Sequence, residues 1–144
     1  MIKYMLMMLV SISFLLGDTE FVEPKPSILE PRKIVFSIRS ADDFEINHVL
    51  GTANNVLKFY GPENVNMRII AYSKGIKTLL KSEKKIAARV EALMQIDVEF
   101  VACGNTMRTK NIKKEDLIDG VEIVTAGVVE IVERIKGGWI NIIP

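Results

Sequence analysis

The amino-acid sequence predicts an α/β protein, a three-layer α/β/α sandwich around a mostly parallel sheet of five strands. Short apolar runs rich in β-branched residues alternate with longer stretches whose apolar residues recur at helical spacing. The short runs are almost continuously apolar, as parallel strands buried on both faces should be. The chain has 144 residues and 49% of them are hydrophobic, which suits one domain with its own core.

The strands and helices are predicted from apolar spacing and from the residues that begin or end each element. The predicted strands are 33–38, 65–72, 98–102, 121–125 and 139–143. A helix capped by Asp42 or Asp43 follows the first strand and ends at Gly61-Pro62. A helix capped by Ser82 precedes the third strand, and shorter helical segments are predicted near Asn105 and over 113–117. The last predicted helix covers 127–135 and is expected to turn four apolar side chains inward: Val128, Ile131, Val132 and Ile135.

The N-terminus has the pattern of a secretory signal peptide. Lys3 precedes an apolar stretch over 4–16 that is too short for a typical membrane span, and Gly17 ends it. We therefore expect a signal peptide over 1–17, a periplasmic or secreted protein, and no stable membrane span after processing. The alternative is a chain anchored in the membrane by its N-terminus. A linker rich in proline and acidic residues is predicted over 18–31, and the folded domain over 32–144.

Composition and missing motifs exclude several functions. A formal net charge of +1 gives no support to nucleic-acid binding. One cysteine cannot form an intramolecular disulfide, and one cysteine with one histidine cannot build a zinc site of those residue types alone. The sequence has no phosphate-binding loop, no glycine-rich dinucleotide fingerprint after the first strand and no serine-hydrolase elbow. We therefore predict no metal and no cofactor.

The predicted topology locates a site before any motif is considered. Ligands of open α/β sheets bind beyond the carboxyl ends of the strands. Four segments reach that edge: 39–41, 73–75, 103–106 and 125–127. The candidate binding residues in these segments are Arg39, Ser40, Gly75, Gly104, Asn105, Thr106 and Gly127.

Cys103, the only thiol, lies between a buried strand and a predicted helix start. Unpaired backbone N–H groups at a helix start favour a negative charge, so the pKa of this thiol is expected to be lowered. Gly104 leaves the sulfur unshielded, and Asn105 is a candidate helix cap. The alternative interpretation is that Cys103 is simply the last buried residue of its strand, since free cysteine is among the most buried residue types.

The only histidine does not fit a catalytic pair with Cys103. On a helical wheel His48 falls beside Phe44 and Asn55, opposite the core stripe of the first helix. An exposed Phe beside it predicts that Phe44, His48 and Asn55 form a contact between subunits.

The residues around Cys103 resemble those of a known family. The resemblance covers about residues 32 to 144 and is strongest over Val98–Met107, which includes Cys-Gly-Asn-Thr, and over 114–117, 120–124 and 126–128. This pattern resembles the DsrE-like (DsrE/DsrF-like) sulfur-relay proteins, and most of all their small stand-alone members, which often carry an export signal. The resemblance implies an α/β/α fold, a homo-oligomer, and protein partners that donate and accept sulfur.

The resemblance also implies a role for Cys103. It would hold sulfane sulfur as a persulfide and pass it on, as a sulfurtransferase-like carrier. One alternative is a binding module in which Cys103 merely lines a pocket for a small ligand. The other is a structural oligomer subunit with a hidden thiol.

Overall fold

The computed structural model describes residues 17–144. The predicted signal peptide lies outside this range except for Gly17. Residues 17–31 contain no helix or strand. The segment is nevertheless held against the domain, because the Arg32 side chain donates hydrogen bonds of 2.7 and 2.8 Å to the carbonyls of Val22 and Pro24. The Phe21 ring also packs 5.7 Å from that of Phe59.

All five predicted strands are present, each within one residue of its predicted ends. They are β1 (Arg32–Ile38), β2 (Val65–Ala71), β3 (Glu99–Cys103), β4 (Glu122–Val124) and β5 (Ile140–Ile142). The α-helices are α1 (Asp43–Tyr60), α2 (Lys84–Met94), α3 (Gly104–Thr109) and α4 (Gly127–Lys136). Three 3₁₀ segments cover Pro62–Asn64, Ser73–Leu79 and Lys114–Asp116, and the second of these is absent from the predicted elements.

The helix starts agree only in part with the predicted caps. Asp42 caps α1 as predicted, since its carboxylate accepts the N–H of Glu45 at 3.0 Å. The N-cap position of α2 is Glu83 rather than Ser82, and Cys103 rather than Asn105 occupies the N-cap position of α3.

The sheet is parallel throughout, in the order β4-β3-β2-β1-β5. The chain steps from β1 to β4 with its connections on one face, and α4 then returns across the opposite face to β5. On the first face, fully buried side chains such as Phe36, Leu50 and Phe100 form the main core between the sheet and α1 and α2. The predicted three layers are therefore present, but α4 alone covers the second face.

The orientation of α4 differs from the prediction. Val128, Val132 and Ile135 are 54%, 55% and 46% exposed, so three of the four side chains predicted to point inward face away from the sheet. Only Ile131 packs on the smaller core of this face. The reason lies beneath the helix, where the sheet presents the guanidinium of Arg68 and draws Glu130 inward to pair with it.

Arg68 is the centre of a charged cluster on this second face. It is 9% exposed and pairs with a carboxylate from each of three elements: Glu99 at 2.7 Å, Glu122 at 2.5 Å, and Glu130 of α4. These carboxylates raise the pKa of Arg68 against the opposing effect of burial. The cluster therefore links α4 to β2, β3 and β4 by ion pairs with a guanidinium that stays charged.

Candidate functional site

The connections of two neighbouring strands leave the sheet on opposite faces at one point. After β3 the chain turns to the main-core face, where Met107 of α3 is buried, while after β4 it turns to the α4 face. Such a switch point opens a crevice at the carboxyl ends of the strands, where α/β proteins bind ligands. Cys103 ends β3 at this switch point, with α3 beginning directly after it and α4 beginning beside it.

Two glycines let these helices begin so close together. A Cβ on Gly104 would lie 2.9 Å from the carbonyl oxygen of Val124, and a Cβ on Gly127 would lie 3.1 Å from the Cβ of Cys103. The N–H of Asn105 donates to the carbonyl of Thr125 at 3.0 Å and joins the two strand ends. Side chains larger than hydrogen at these two positions would push the helix starts away from the thiol.

The surroundings of Cys103 favour its ionised form. Burial, which leaves the residue 6% exposed, acts to raise the pKa of the thiol. Hydrogen bonds from the Thr106 hydroxyl and from the backbone N–H groups of Gly127, Thr106 and Asn105 act in the opposite direction and prevail. The pKa of Cys103 is therefore lowered, because donors from the starts of two helices converge on one sulfur.

Thr106 also connects the thiol to the segment after β2. Its hydroxyl oxygen accepts the backbone N–H of Ser73 at 2.9 Å. Ser73 has a φ of 53°, a left-handed conformation that opens the 3₁₀ segment Ser73–Leu79. The same hydroxyl thus links the β2 end to the start of α3; the sequence places segment 73–75 at the same edge as Cys103 but does not predict this hydrogen bond.

The structure divides the predicted binding residues into two groups. Gly104, Asn105, Thr106 and Gly127 surround Cys103, although the Asn105 side chain accepts from Arg108 at 2.6 Å rather than capping the helix. The other group lies at the end of β1. Gly75 supports it, because a Cβ there would lie 2.1 Å from the carbonyl oxygen of Ile38.

Arg39 and Ser40 belong to this second group and line a cavity of about 600 Å³ between the end of β1, α1 and the residues after β5. Phe44 and His48 line the same cavity, with their rings parallel and their centroids 6.2 Å apart. Asn55 lies farther along α1 and is exposed. Whether Phe44, His48 and Asn55 contact a second subunit stays a prediction. Tyr72 also lines the cavity, and the sequence prediction had missed it.

Within residues 17–144, no group of three or more His, Cys, Asp or Glu side chains lies close enough to hold a metal ion. No helix in this part of the chain is both long enough and apolar enough to cross a membrane.

The fold and the site together define an all-parallel α/β protein with a single thiol at its topological switch point. Residues 33–142 match the DsrE/DsrF-like family, and the chain belongs to that family. No curated protein matches the chain.

The solved structures similar to the chain include the following two. One is the protein of unknown function MTH1491 from Methanobacterium thermoautotrophicum, at 30% identity and a TM-score of 0.74, with 78% of this chain and 99% of that chain covered. The other is the ychN protein from E. coli, at 23% identity and a TM-score of 0.66, with 76% of this chain and 96% of that chain covered. The second likeness shows the fold alone.

Proposed function

We propose that this protein is a sulfur carrier that holds sulfane sulfur as a persulfide on Cys103. The family to which the chain belongs is associated with sulfur relay in general. In the proposed reaction the Cys103 thiolate attacks the outer sulfur of a donor persulfide, R–S–SH. The S–S bond of the donor breaks, a new S–S bond forms on Cys103, and the donor leaves as R–S⁻. An acceptor thiolate then takes the outer sulfur in the same way.

The observation that carries this proposal is the position of the only thiol, at the end of β3, where α3 begins directly after it and α4 begins beside it. One hydroxyl and three backbone N–H groups lower the pKa of Cys103 although the residue is largely buried. A thiolate is the attacking species in sulfur transfer, so these donors raise its fraction near neutral pH. A buried cysteine with a purely structural role needs no such stabilisation of its negative form.

The proposal includes the setting that the sequence predicts. We infer that the carrier is exported to the periplasm or secreted, that it forms homo-oligomers, and that it exchanges sulfur with donor and acceptor molecules. The exposed apolar residues of α4, among them Val128 and Val132, support self-association, because soluble proteins seldom leave such a stripe uncovered.

Intact-protein mass spectrometry after incubation with inorganic polysulfide tests the proposal. The expected result is the gain of one sulfur atom, which dithiothreitol removes and which the Cys103→Ser variant does not acquire. Because Cys103 is the only cysteine, the modified residue is unambiguous. The same reaction in urea gives the rate of the unfolded thiol. Uptake by the folded protein at pH 7 that is slower than uptake by the unfolded chain would contradict the proposal.

A further inference from the structure

We infer that the cavity beside Arg39 and Tyr72 binds the persulfide R–S–SH of a low-molecular-weight thiol of the amino-acid type, in which R carries one carboxylate and one ammonium group, and directs its outer sulfur toward Cys103. The inference rests on the proposed function and names the class of molecule from which Cys103 would take sulfur. The inference depends on three features: the pairing register of β1, β2 and β3, the extent of the cavities beside these strands, and the charges of the side chains that line them.

The register of the sheet aligns three residues along its carboxyl edge. Ile38 pairs with Ala71, and Ala71 pairs with Ala102. The residues that follow them, Arg39, Tyr72 and Cys103, therefore form one row across three neighbouring strands. Adjacent strands lie about 4.8 Å apart, which places the backbone of Arg39 about 10 Å from that of Cys103.

Tyr72 occupies the middle of this row and lies next to Cys103. A Cβ on Gly127 would lie 3.1 Å from the Cβ of Cys103 and 3.4 Å from the Cβ of Tyr72, so these two side chains begin next to each other. Successive side chains of a strand alternate between faces. Arg39, Tyr72 and Cys103 therefore leave the sheet on the same side, toward the face that α4 covers.

The space beside this row extends from the end of β1 to the segment after β2. The cavity of about 600 Å³ adjoins a second one of about 430 Å³, and both are lined by Arg39, Ser40, Glu45 and Tyr72. The second cavity reaches Ser73, whose N–H is bonded to the hydroxyl of Thr106. Thr106 lies in the first turn of α3, three residues after Cys103. A volume of this size suits a small ligand.

The charges in the two cavities fit a zwitterion. Arg39 and Glu45 line both of them, and within residues 17–144 neither side chain has an ion pair or a hydrogen bond. A guanidinium matches a carboxylate in a bidentate geometry, and a carboxylate attracts an ammonium group. A zwitterion can pair with both side chains, whereas a ligand with a single charge can pair with only one of them.

Competition between thioethers and a neutral alkylating reagent tests this inference, because thioethers occupy the site without exchanging sulfur. The rate of Cys103 alkylation by iodoacetamide is measured with increasing S-methylcysteine, with the anion 3-(methylthio)propionate, and with the cation 2-(methylthio)ethylamine. We expect S-methylcysteine to slow alkylation at least fivefold at saturation. Each singly charged analogue should need at least a threefold higher concentration for half of that effect.

Three variants complete the test, each compared with its own rate in the absence of thioether. Arg39→Gln and Glu45→Gln should each raise the half-protecting concentration of S-methylcysteine at least fivefold. Lys84→Gln, which removes an exposed charge from α2, should leave that concentration within twofold of the unmodified protein.

Three results would each overturn the inference. They are protection that does not saturate, equal protection by all three thioethers, and unchanged protection in both Arg39→Gln and Glu45→Gln. The experiment is separable from the test of the proposed function. Saturable protection without sulfur uptake would refute the carrier and leave the binding site. Sulfur uptake without protection would refute the binding site and leave the carrier.

Discussion

Removing one hydroxyl group should destabilise the thiolate form of Cys103 relative to its thiol form without changing the shape of its surroundings. The substitution Thr106→Val replaces the hydroxyl that hydrogen-bonds the sulfur by a methyl group of similar size. The backbone donors from Gly127, Thr106 and Asn105 remain. Ser73 loses the acceptor of its N–H, but Ser73 is exposed and water can take that place.

The size of the effect follows from the charge on the acceptor. A hydrogen bond to a charged group contributes about 1.5 to 3 kcal/mol, whereas one to a neutral thiol contributes much less. A difference of about 1.4 kcal/mol changes an ionisation equilibrium tenfold. We therefore expect Thr106→Val to reduce the ionisation constant of Cys103 about tenfold or more and to raise its pKa toward the ordinary value.

The pH dependence of iodoacetamide alkylation measures this change. In the unmodified protein the rate should rise at lower pH than the rate of a free thiol, whose pKa is about 8.5. In Thr106→Val the rise should move to higher pH. Thr109→Val is the matched control, since it removes a hydroxyl of the same helix that bonds the carbonyl of Asn105 at 2.9 Å. Identical profiles for Thr106→Val and Thr109→Val would refute this account of the thiol.

The same hydrogen bond should also make the free energy of unfolding depend on pH. The folded pKa of Cys103 is lowered, so its thiolate stabilises the fold fully above the pKa of the unfolded thiol, and this contribution is lost as pH falls through the folded pKa. The difference in unfolding free energy between the unmodified protein and Thr106→Val should therefore be larger at pH 9 than at pH 6. Urea denaturation at the two pH values measures it, and a difference that does not change with pH would contradict the assignment.

Three further predictions concern the scaffold and its surface. Gly75→Ala would place a Cβ 2.1 Å from the carbonyl oxygen of Ile38, so the free energy of unfolding measured in urea should fall by about 3 kcal/mol or more. Gly51→Ala is the control: its Cβ would meet only Arg89 at 3.9 Å, and the variant should be more stable by up to about 1 kcal/mol. Arg68→Met should lower the free energy of unfolding by about 3 kcal/mol, because Glu130 stays largely buried and loses this partner. Lys81→Met breaks an exposed ion pair and should lower it by less than about 1 kcal/mol. Equal losses in urea denaturation would contradict the role given to the cluster. Sedimentation equilibrium should show an oligomer that Val132→Glu dissociates, and a monomer at all concentrations would refute self-association.

The strands were predictable because a parallel strand that is buried on both faces is encoded by a continuous run of apolar residues. Each of the five runs is apolar over several residues, and each predicted end lies within one residue of the observed end. The 3₁₀ segment Ser73–Leu79 was not predictable in this way. It depends on the left-handed conformation of Ser73 and on the contact of Gly75 with the end of β1, neither of which produces an apolar period.

The position of the candidate site was predictable, but part of its lining was not. The order of strands and helices is enough to bring Cys103 and Gly127 to one edge of the sheet. Which residues share a row along that edge depends on the pairing register. Ile38, Ala71 and Ala102 are aligned by the pairing of β1, β2 and β3, and only this alignment puts Tyr72 between Arg39 and the thiol.

The orientation of α4 shows where apolar spacing is insufficient to choose the buried side of a helix. The spacing of Val128, Val132 and Ile135 correctly predicts a helix, yet this stripe faces outward. The opposite side carries Gly127, Glu130 and Ile131, and a buried guanidinium on the sheet attracts the one carboxylate among them.

The orientation of α4 also affects the surroundings of Cys103. With Glu130 turned toward Arg68, Gly127 lies one turn earlier on the same side of α4 and meets the sheet beside Cys103. If the apolar stripe packed inward instead, Val128 would come nearest the sheet at the start of the helix, and its side chain would need the space in which the N–H of Gly127 reaches the sulfur. The orientation that pairs Glu130 with Arg68 thus also places Gly127 next to Cys103.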